Sequence, residues 1–160
     1  MIRLAMKEDA SRLAEISIFA KRMAYSDIFN DYKVSFSEMQ VLPLALEYIE
    51  KPEMLKNLYV FEDEVIKGMM KISYDKDDNY FEINELFVDP FFQNHHVGSQ
   101  FASYVEELAR SLGFTNIILW VLEKNQNARN FYAKNGFALT SEKKLEDGTT
   151  EYILKYLKEL

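Results

Sequence analysis

Two strand-like segments on either side of one helix narrow the folds open to this chain. Asn116 to Leu122 contains Ile-Ile-Leu-Trp-Val-Leu, a continuous apolar run typical of a strand buried on both faces. Upstream, Tyr80 to Val88 predicts another strand, which stops at Pro90. Between them, the segment from about His96 to Leu112 carries Phe101, Tyr104, Val105, Leu108 and Ala109 at helical spacing, and Gly113 ends it. Strand, helix and buried strand form a βαβ unit, so the two strands should run parallel with a right-handed crossover. The fold class that follows is mixed α/β.

The remaining segments fill in that class. Ile2 to Ala5 predicts a short strand, and Asp9 a cap for a helix that turns Leu13, Ile16, Ile18, Ala20 and Met23 to the core. Ser35 or Ser37 is the expected cap of a second helix through Leu46 and Ile49, ended before Pro52. Leu58 to Phe61 and Val65 to Tyr74 read as a hairpin across Glu62-Asp63-Glu64. The turn Asp75 to Asn79 then leads into the Tyr80 strand. A last helix covers Gln126 to Asn135 and stops at Gly136; Phe137 to Lys144 and Tyr152 to Tyr156 form a closing hairpin. With no repeats and no Pro/Gly-rich linker, residues 1–160 are expected to be a single domain.

Composition excludes several function classes. A net charge of −7 argues against a nucleic-acid binder, which usually presents a basic face, and is compatible with a cationic acceptor such as an amine. No run approaches the ~20 apolar residues of a membrane span. The N-terminus, with Lys7, Glu8 and Asp9, lacks an apolar signal core, so a cytoplasmic location is the expectation. The absence of cysteine removes disulfides, a thiol nucleophile and Cys-ligated metals from this chain.

Chemistry concentrates first where the Tyr80 strand ends and the next helix opens. Gln93, Asn94, His95, His96, Val97, Gly98, Ser99 and Gln100 can offer a row of main-chain donors to a pyrophosphate, helped by the positive end of the helix dipole. Gly98 has no side chain to keep a phosphate away. Neither the Walker sequence nor Gly-x-Gly-x-x-Gly is present. Neighbouring histidines point in different directions on a helix, so no metal site is expected. Taken alone, this segment fits an anion site or an empty helix start.

A second constellation spans Asn125 to Phe137. Asn125 is a good N-cap, and Phe131 and Phe137 read as core anchors. Tyr132 projects roughly 100° from Phe131, so one ring packs inward and the other can face a cleft. A half-buried tyrosine with a satisfied hydroxyl explains Tyr132 equally well on this segment alone.

Together the two constellations resemble the Gcn5-related N-acetyltransferase (GNAT) family. Gln93-Asn94-His95-His96-Val97-Gly98 is similar to the family's Gln/Arg-x-x-Gly-x-Gly/Ala loop, with His96 where the first glycine is usual. Asn125, Ala128, Phe131, Tyr132, Gly136 and Phe137 fit Asn-x-x-Ala-x-x-Phe-Tyr-x-x-x-Gly-Phe without departure. Element order and the Leu86-x-Val88-x-Pro90 strand end extend the likeness over essentially the whole chain. The resemblance implies a mostly antiparallel central sheet with one splayed parallel pair, flanked by helices, and acetyl-CoA as cofactor. The backbone of Leu86, Phe87 and Val88 would pair with the pantetheine arm, and the Leu86 N–H would polarise the thioester carbonyl. Gln93 to Ser99 would take the pyrophosphate, Asn125 would bond to the arm, and Tyr132 would sit by the sulfur. Arg129 and Lys134 are candidates for the nucleotide phosphates. A helical backbone at His96 would make glycine unnecessary there.

The implied reaction is acetyl transfer to a primary amine by direct attack in a ternary complex; without cysteine there is no enzyme-bound thioester. An alkyl ammonium with a pKa near ~10 needs a base. Glu82 is the favoured base, as related enzymes often place a glutamate there, and Glu85 is the alternative. Their odd spacing sends them to opposite faces of a regular strand, which a bulge could alter. Tyr132 would donate a hydrogen bond to the developing sulfur charge. The segment holding Tyr25, Asp27, Phe29 and Asp31 would roof the acceptor site and suit a small-molecule amine such as a polyamine. A non-catalytic acetyl-CoA-binding module and an enzyme for a protein amine are the alternatives. Family habit and the closing hairpin are compatible with a homodimer.

Overall fold

The computed structural model describes residues 1–160. Its strands are β1 (Ile2–Leu4), β2 (Leu58–Asp63), β3 (Val65–Asp75), β4 (Tyr80–Val88), β5 (Asn116–Leu122), β6 (Ala138–Leu145) and β7 (Tyr152–Glu159). Its helices are α1 (Ala10–Phe29), α2 (Val41–Glu50), α3 (Val97–Ser111) and α4 (Gln126–Lys134). The sheet has seven strands in the order β1-β2-β3-β4-β5-β7-β6, mostly antiparallel, with β4 and β5 its parallel pair. Mixed α/β with that pair is the expected class. The chain divides into two compact units, residues 1–71 with 85–101 and residues 72–84 with 102–160.

In the first unit, β1 pairs antiparallel with β2, Ile2 opposite Phe61, and β2 turns into β3 at Glu64 with a left-handed φ of 61°. Leu13 and Ile16 of α1 pack with Ala45 and Tyr48 of α2 and with Leu58, Val60 and Met69 of the strands. Each such fully buried aliphatic side chain contributes about 1.5–3 kcal/mol. Three expectations fail here. Met23 is 69% exposed, although Tyr25, two residues further along α1, still packs against the core. Neither Ser35 nor Ser37 caps α2: both lie in the turn Val34–Glu38, and Gln40 takes the N-cap position. Pro43 explains the shift. It has no N–H, so it is tolerated in the first turn of a helix but would break one begun at Ser35 or Ser37. Asp9 precedes α1, yet its carboxylate accepts from Arg3 and from the Met6 N–H instead of capping the helix.

In the second unit, β5 pairs along its whole length with β7, from Asn116 opposite Glu159 to Leu122 opposite Ile153. Its parallel ladder with β4 consists of Glu82 opposite Ile118 and Ile83 opposite Leu119. Ile117, Leu119 and Val121 are buried, whereas Ile118 and Trp120 are half-buried, so only one face of β5 is fully covered. Tyr74, Phe81 and Phe114 form an aromatic cluster, and Gly113, at φ 90°, ends α3. β6 lies on the far side of β7, with a register shift between Leu139 and Lys143.

Candidate functional site

The end of β4 is fixed by a buried carboxylate. Asp89 is only 2% exposed; its N–H donates to the Lys67 carbonyl at 2.9 Å and its Oδ1 accepts the Phe91 N–H at 2.8 Å. Arg12 of α1 pairs with Asp89 Oδ2 at 2.7 Å and donates from Nε to the Ile66 carbonyl at 3.0 Å. A buried charge is tolerable on these terms, paired and hydrogen-bonded. Gly68 completes the support. A Cβ there would stand 2.9 Å from the Phe87 carbonyl oxygen and 3.1 Å from Val97 and Phe101, so only glycine lets these segments meet. Sequence reading passed over Gly68, although an isolated glycine inside a strand pattern is the signal for a close backbone approach.

Pro90 to Phe92 form one 3-10 turn, and the chain then runs through Gln93, Asn94, His95 and His96 into α3. The first helical bond runs from the Gln100 N–H to the His96 carbonyl at 3.0 Å. The N–H groups of Val97, Gly98 and Ser99 therefore precede the helix's own bonding, and the buried Val97 side chain anchors them. No acidic side chain occurs between Gln93 and Gln100. This donor set fits a phosphate anion. His96 differs from expectation: its backbone is not helical but left-handed, with φ 62°, and Asn94 is also left-handed at 64°. The chain reverses just before α3 starts, and glycine is the residue for which that conformation is free of strain.

The second motif organises α4. Asn125 caps the helix, its Oδ1 accepting the Ala128 N–H at 3.2 Å, which leaves its amide NH₂ as a donor. Tyr132 is half-buried, with its ring 5.2 Å from Phe131 and 5.6 Å from Phe137, both edge-on. Phe137 is buried as expected of an anchor, whereas Phe131 is half-buried. Arg129 is partly committed within the unit, donating to the Tyr156 hydroxyl at 3.1 Å and the Glu123 carbonyl at 3.0 Å. Lys134 is exposed.

The two glutamates of β4 have different neighbours. Glu82 is half-buried, and burial pushes its carboxyl above the ordinary range against the opposing pull of Lys144 and Lys155. Glu85 pairs with Lys21 at 3.6 Å. Burial, helped by the Glu85 charge, pushes the Tyr48 hydroxyl up to about 12. These separate surroundings agree with the opposite faces of a regular strand. Lys144 and Lys155 were not singled out from sequence, since only the β5–β7–β6 register brings them near Glu82. Tyr25, Asp27 and Phe29, expected in a link between the first two helices, instead belong to the last turns of α1, where Tyr25 and Phe29 meet edge-on at 6.0 Å one turn apart and Asp27 is exposed. Asp31 is used locally, accepting the Val34 N–H at 3.0 Å.

Comparison with known proteins agrees with this arrangement. The family model described as "Acetyltransferase (GNAT) family" matches residues 22–137. An uncharacterized N-acetyltransferase of Lactobacillus delbrueckii subsp. lactis, from the pepI 3' region, is 31% identical over 102 residues. That alignment covers 58% of this chain, and the chain spans only 59% of the relative's length. Among solved structures, the PaiA N-acetyltransferase of Thermoplasma acidophilum in complex with coenzyme A matches with a TM-score of 0.74 at 21% identity, over 100% of this chain and 98% of that one. The ribosomal-protein-alanine N-acetyltransferase of Brucella melitensis matches at 0.72 and 17% identity, over 100% and 99%. At these identities the structural likenesses speak for the fold, while the family model covers most of the sequence. With a strand–turn–helix at one motif and an Asn125-capped helix bearing Tyr132 at the other, the chain belongs to the GNAT acetyltransferase family.

Proposed function

We propose that this protein is an N-acetyltransferase that uses acetyl-CoA and acetylates a small-molecule primary amine within a ternary complex. The observation that carries the reading is the end of β4, where left-handed residues Asn94 and His96 turn the chain into α3 and leave the N–H groups of Val97, Gly98 and Ser99 for an anion. When bound, acetyl-CoA supplies an acetyl group activated as a thioester. The loop from Gln93 to Ser99 holds its pyrophosphate. The backbone of Leu86 to Val88 aligns the pantetheine arm, and the Asn125 amide adds a hydrogen bond to it. Lys134 and the remaining donors of Arg129 serve the nucleotide phosphates.

The Leu86 N–H stabilises negative charge on the carbonyl oxygen as the amine nitrogen attacks. Glu82 accepts the proton that the amine loses, and its burial makes it a stronger base than an exposed glutamate. Glu85 is less suited to that role because Lys21 already pairs with it. The Tyr132 hydroxyl donates to the departing sulfur; a thiol is more acidic than a phenol by ~1.5 units, so a hydrogen bond suffices. Acceptor choice falls to the last turns of α1 and the turn that follows, where Asp27 is an exposed carboxylate on the helix and Asp31 is committed to its turn. Polyamines are one acceptor class that such a carboxylate suits.

Thermal unfolding with acetyl-CoA tests cofactor use. A hundredfold excess over Kd should stabilise the protein by about 2.7 kcal/mol. No shift at millimolar acetyl-CoA would overturn the reading.

A further inference from the structure

On the open face of β5, β7 and β6, the only tryptophan of the chain is surrounded by charge. Trp120 lies opposite Lys155 on β7 and two residues beyond Ile118, which is opposite Glu82 on β4. Lys144 lies opposite Ile153, so strand alternation sends Glu82, Trp120, Lys155 and Lys144 to one face. The Lys144 ammonium sits over the indole at 4.4 Å from the ring centroid, and the Lys155 ammonium at 6.0 Å from the same centroid. Lys155 has a carboxylate of its own, Glu142 at 2.8 Å. The partner of Lys144 is the ring.

Two cations sharing one indole repel each other, and an anion placed beside them would relieve that repulsion. Cation–ring contacts recur elsewhere in this protein, Lys67 over Phe92 among them, but Trp120 is approached by two lysines at once. The ring also offers a flat apolar floor for a hydrocarbon chain. From Glu82, Trp120 is one strand across and one residue pair along, roughly 5 Å by 7 Å.

We propose that Trp120, Lys144 and Lys155 form the acceptor's second subsite, which takes a carboxylate joined by an apolar spacer to the amine that Glu82 deprotonates. The inference rests on the reading of Glu82 as the base. The preferred acceptor class is then an amino acid whose amine and carboxylate are separated by several methylenes, ahead of diamines and simple alkylamines. A spacing of roughly 8 Å between the two groups fits an extended 6-aminohexanoate.

Because Trp120 is the sole tryptophan, its fluorescence reports this face without labelling. The protein is titrated with 6-aminohexanoate, hexylamine and 1,6-diaminohexane, and CoA release is measured with the same compounds. A saturable fluorescence change with 6-aminohexanoate is expected, with the apparent Kd raised on the order of tenfold in Lys144→Gln. The ratio of kcat/KM for 6-aminohexanoate over 1,6-diaminohexane should fall similarly in Lys144→Gln and drop below one in Lys144→Glu. Lys144 is exposed, so these variants are expected to fold, which their melting temperatures verify. No saturable signal with the amino acid, or the same ratio in all three proteins, overturns the proposal. A signal that follows protein concentration instead of ligand assigns the face to a second copy of the chain and also overturns it. Saturable binding without CoA release from any acceptor would leave the subsite standing and sink the transferase reading.

Discussion

Replacing His96 by glycine should stabilise the unliganded protein, and the reason is the backbone at φ 62°. A left-handed conformation costs an L-residue roughly 1–2 kcal/mol, with histidine toward the lower end as one of the residues enriched there. Glycine removes that strain but loses more chain entropy on folding, by roughly 0.5–1 kcal/mol. The expected net gain is a few tenths to about 1 kcal/mol, or a rise of up to about 2–4 °C in Tm for a chain of this size. His95→Gly is the matched control, because His95 lies next door but outside the left-handed region. It suffers the entropy loss alone and should melt lower. The entropy cost is common to both variants, so their difference isolates the strain at roughly 1–2 kcal/mol. Thermal unfolding followed by circular dichroism measures it. Equal losses in both variants would refute the assigned strain.

Four further outcomes are expected. Gly68→Ala should cost about 1–3 kcal/mol in urea unfolding, since its Cβ would press on the Phe87 carbonyl 2.9 Å away; a neutral substitution contradicts the close approach. Arg12→Ala strands the buried Asp89 carboxylate and should cost about 3 kcal/mol or more, read from the melting curve; less than about 1 kcal/mol would show that the pair does not hold the strand end. The kcat/KM profile should fall with decreasing pH as Glu82 is protonated, at a pH above the ordinary glutamate value of about 4.3. Lys144 and Lys155 favour the carboxylate, so converting either to Gln should move that limb further up, and an unmoved limb contradicts the assignment. Tyr132→Phe should lower kcat while leaving acetyl-CoA affinity nearly intact; an unchanged rate removes Tyr132 from the reaction.

What could be read in advance was whatever the local sequence decides. The strand character of β5, the Asn125 cap of α4 and the glycine that ends α3 depend on neighbours within a turn or two and appear as expected, whereas the burial of both β5 faces that its apolar run implied does not, because Ile118 and Trp120 stay half-buried. Pro43 was an equally local signal, and weighing it would have moved the start of α2 to Val41. His96 could not be settled in the same way. A histidine fits the first turn of a helix as readily as the reversal before it, and only the path from β4 into α3 decides. Met23 has the helical spacing of a core residue, yet spacing does not say which residues near the end of a helix the neighbouring elements cover: Tyr25 packs on the core and Met23 does not. The grouping of Glu82, Trp120, Lys144 and Lys155 depends on pairing across strands and on the irregularity between Leu139 and Lys143. Nothing local encodes it.

The central claim is acetyl transfer from acetyl-CoA to an amine. Its most direct test is mass spectrometry of a reaction containing the protein, acetyl-CoA and a panel of polyamines, amino acids, aminoglycosides and peptides, with CoA release followed in parallel. The account predicts at least one acceptor heavier by a single acetyl group, formed one-for-one with CoA. Acetyl-CoA left intact across the whole panel, with the cofactor demonstrably bound, would contradict it.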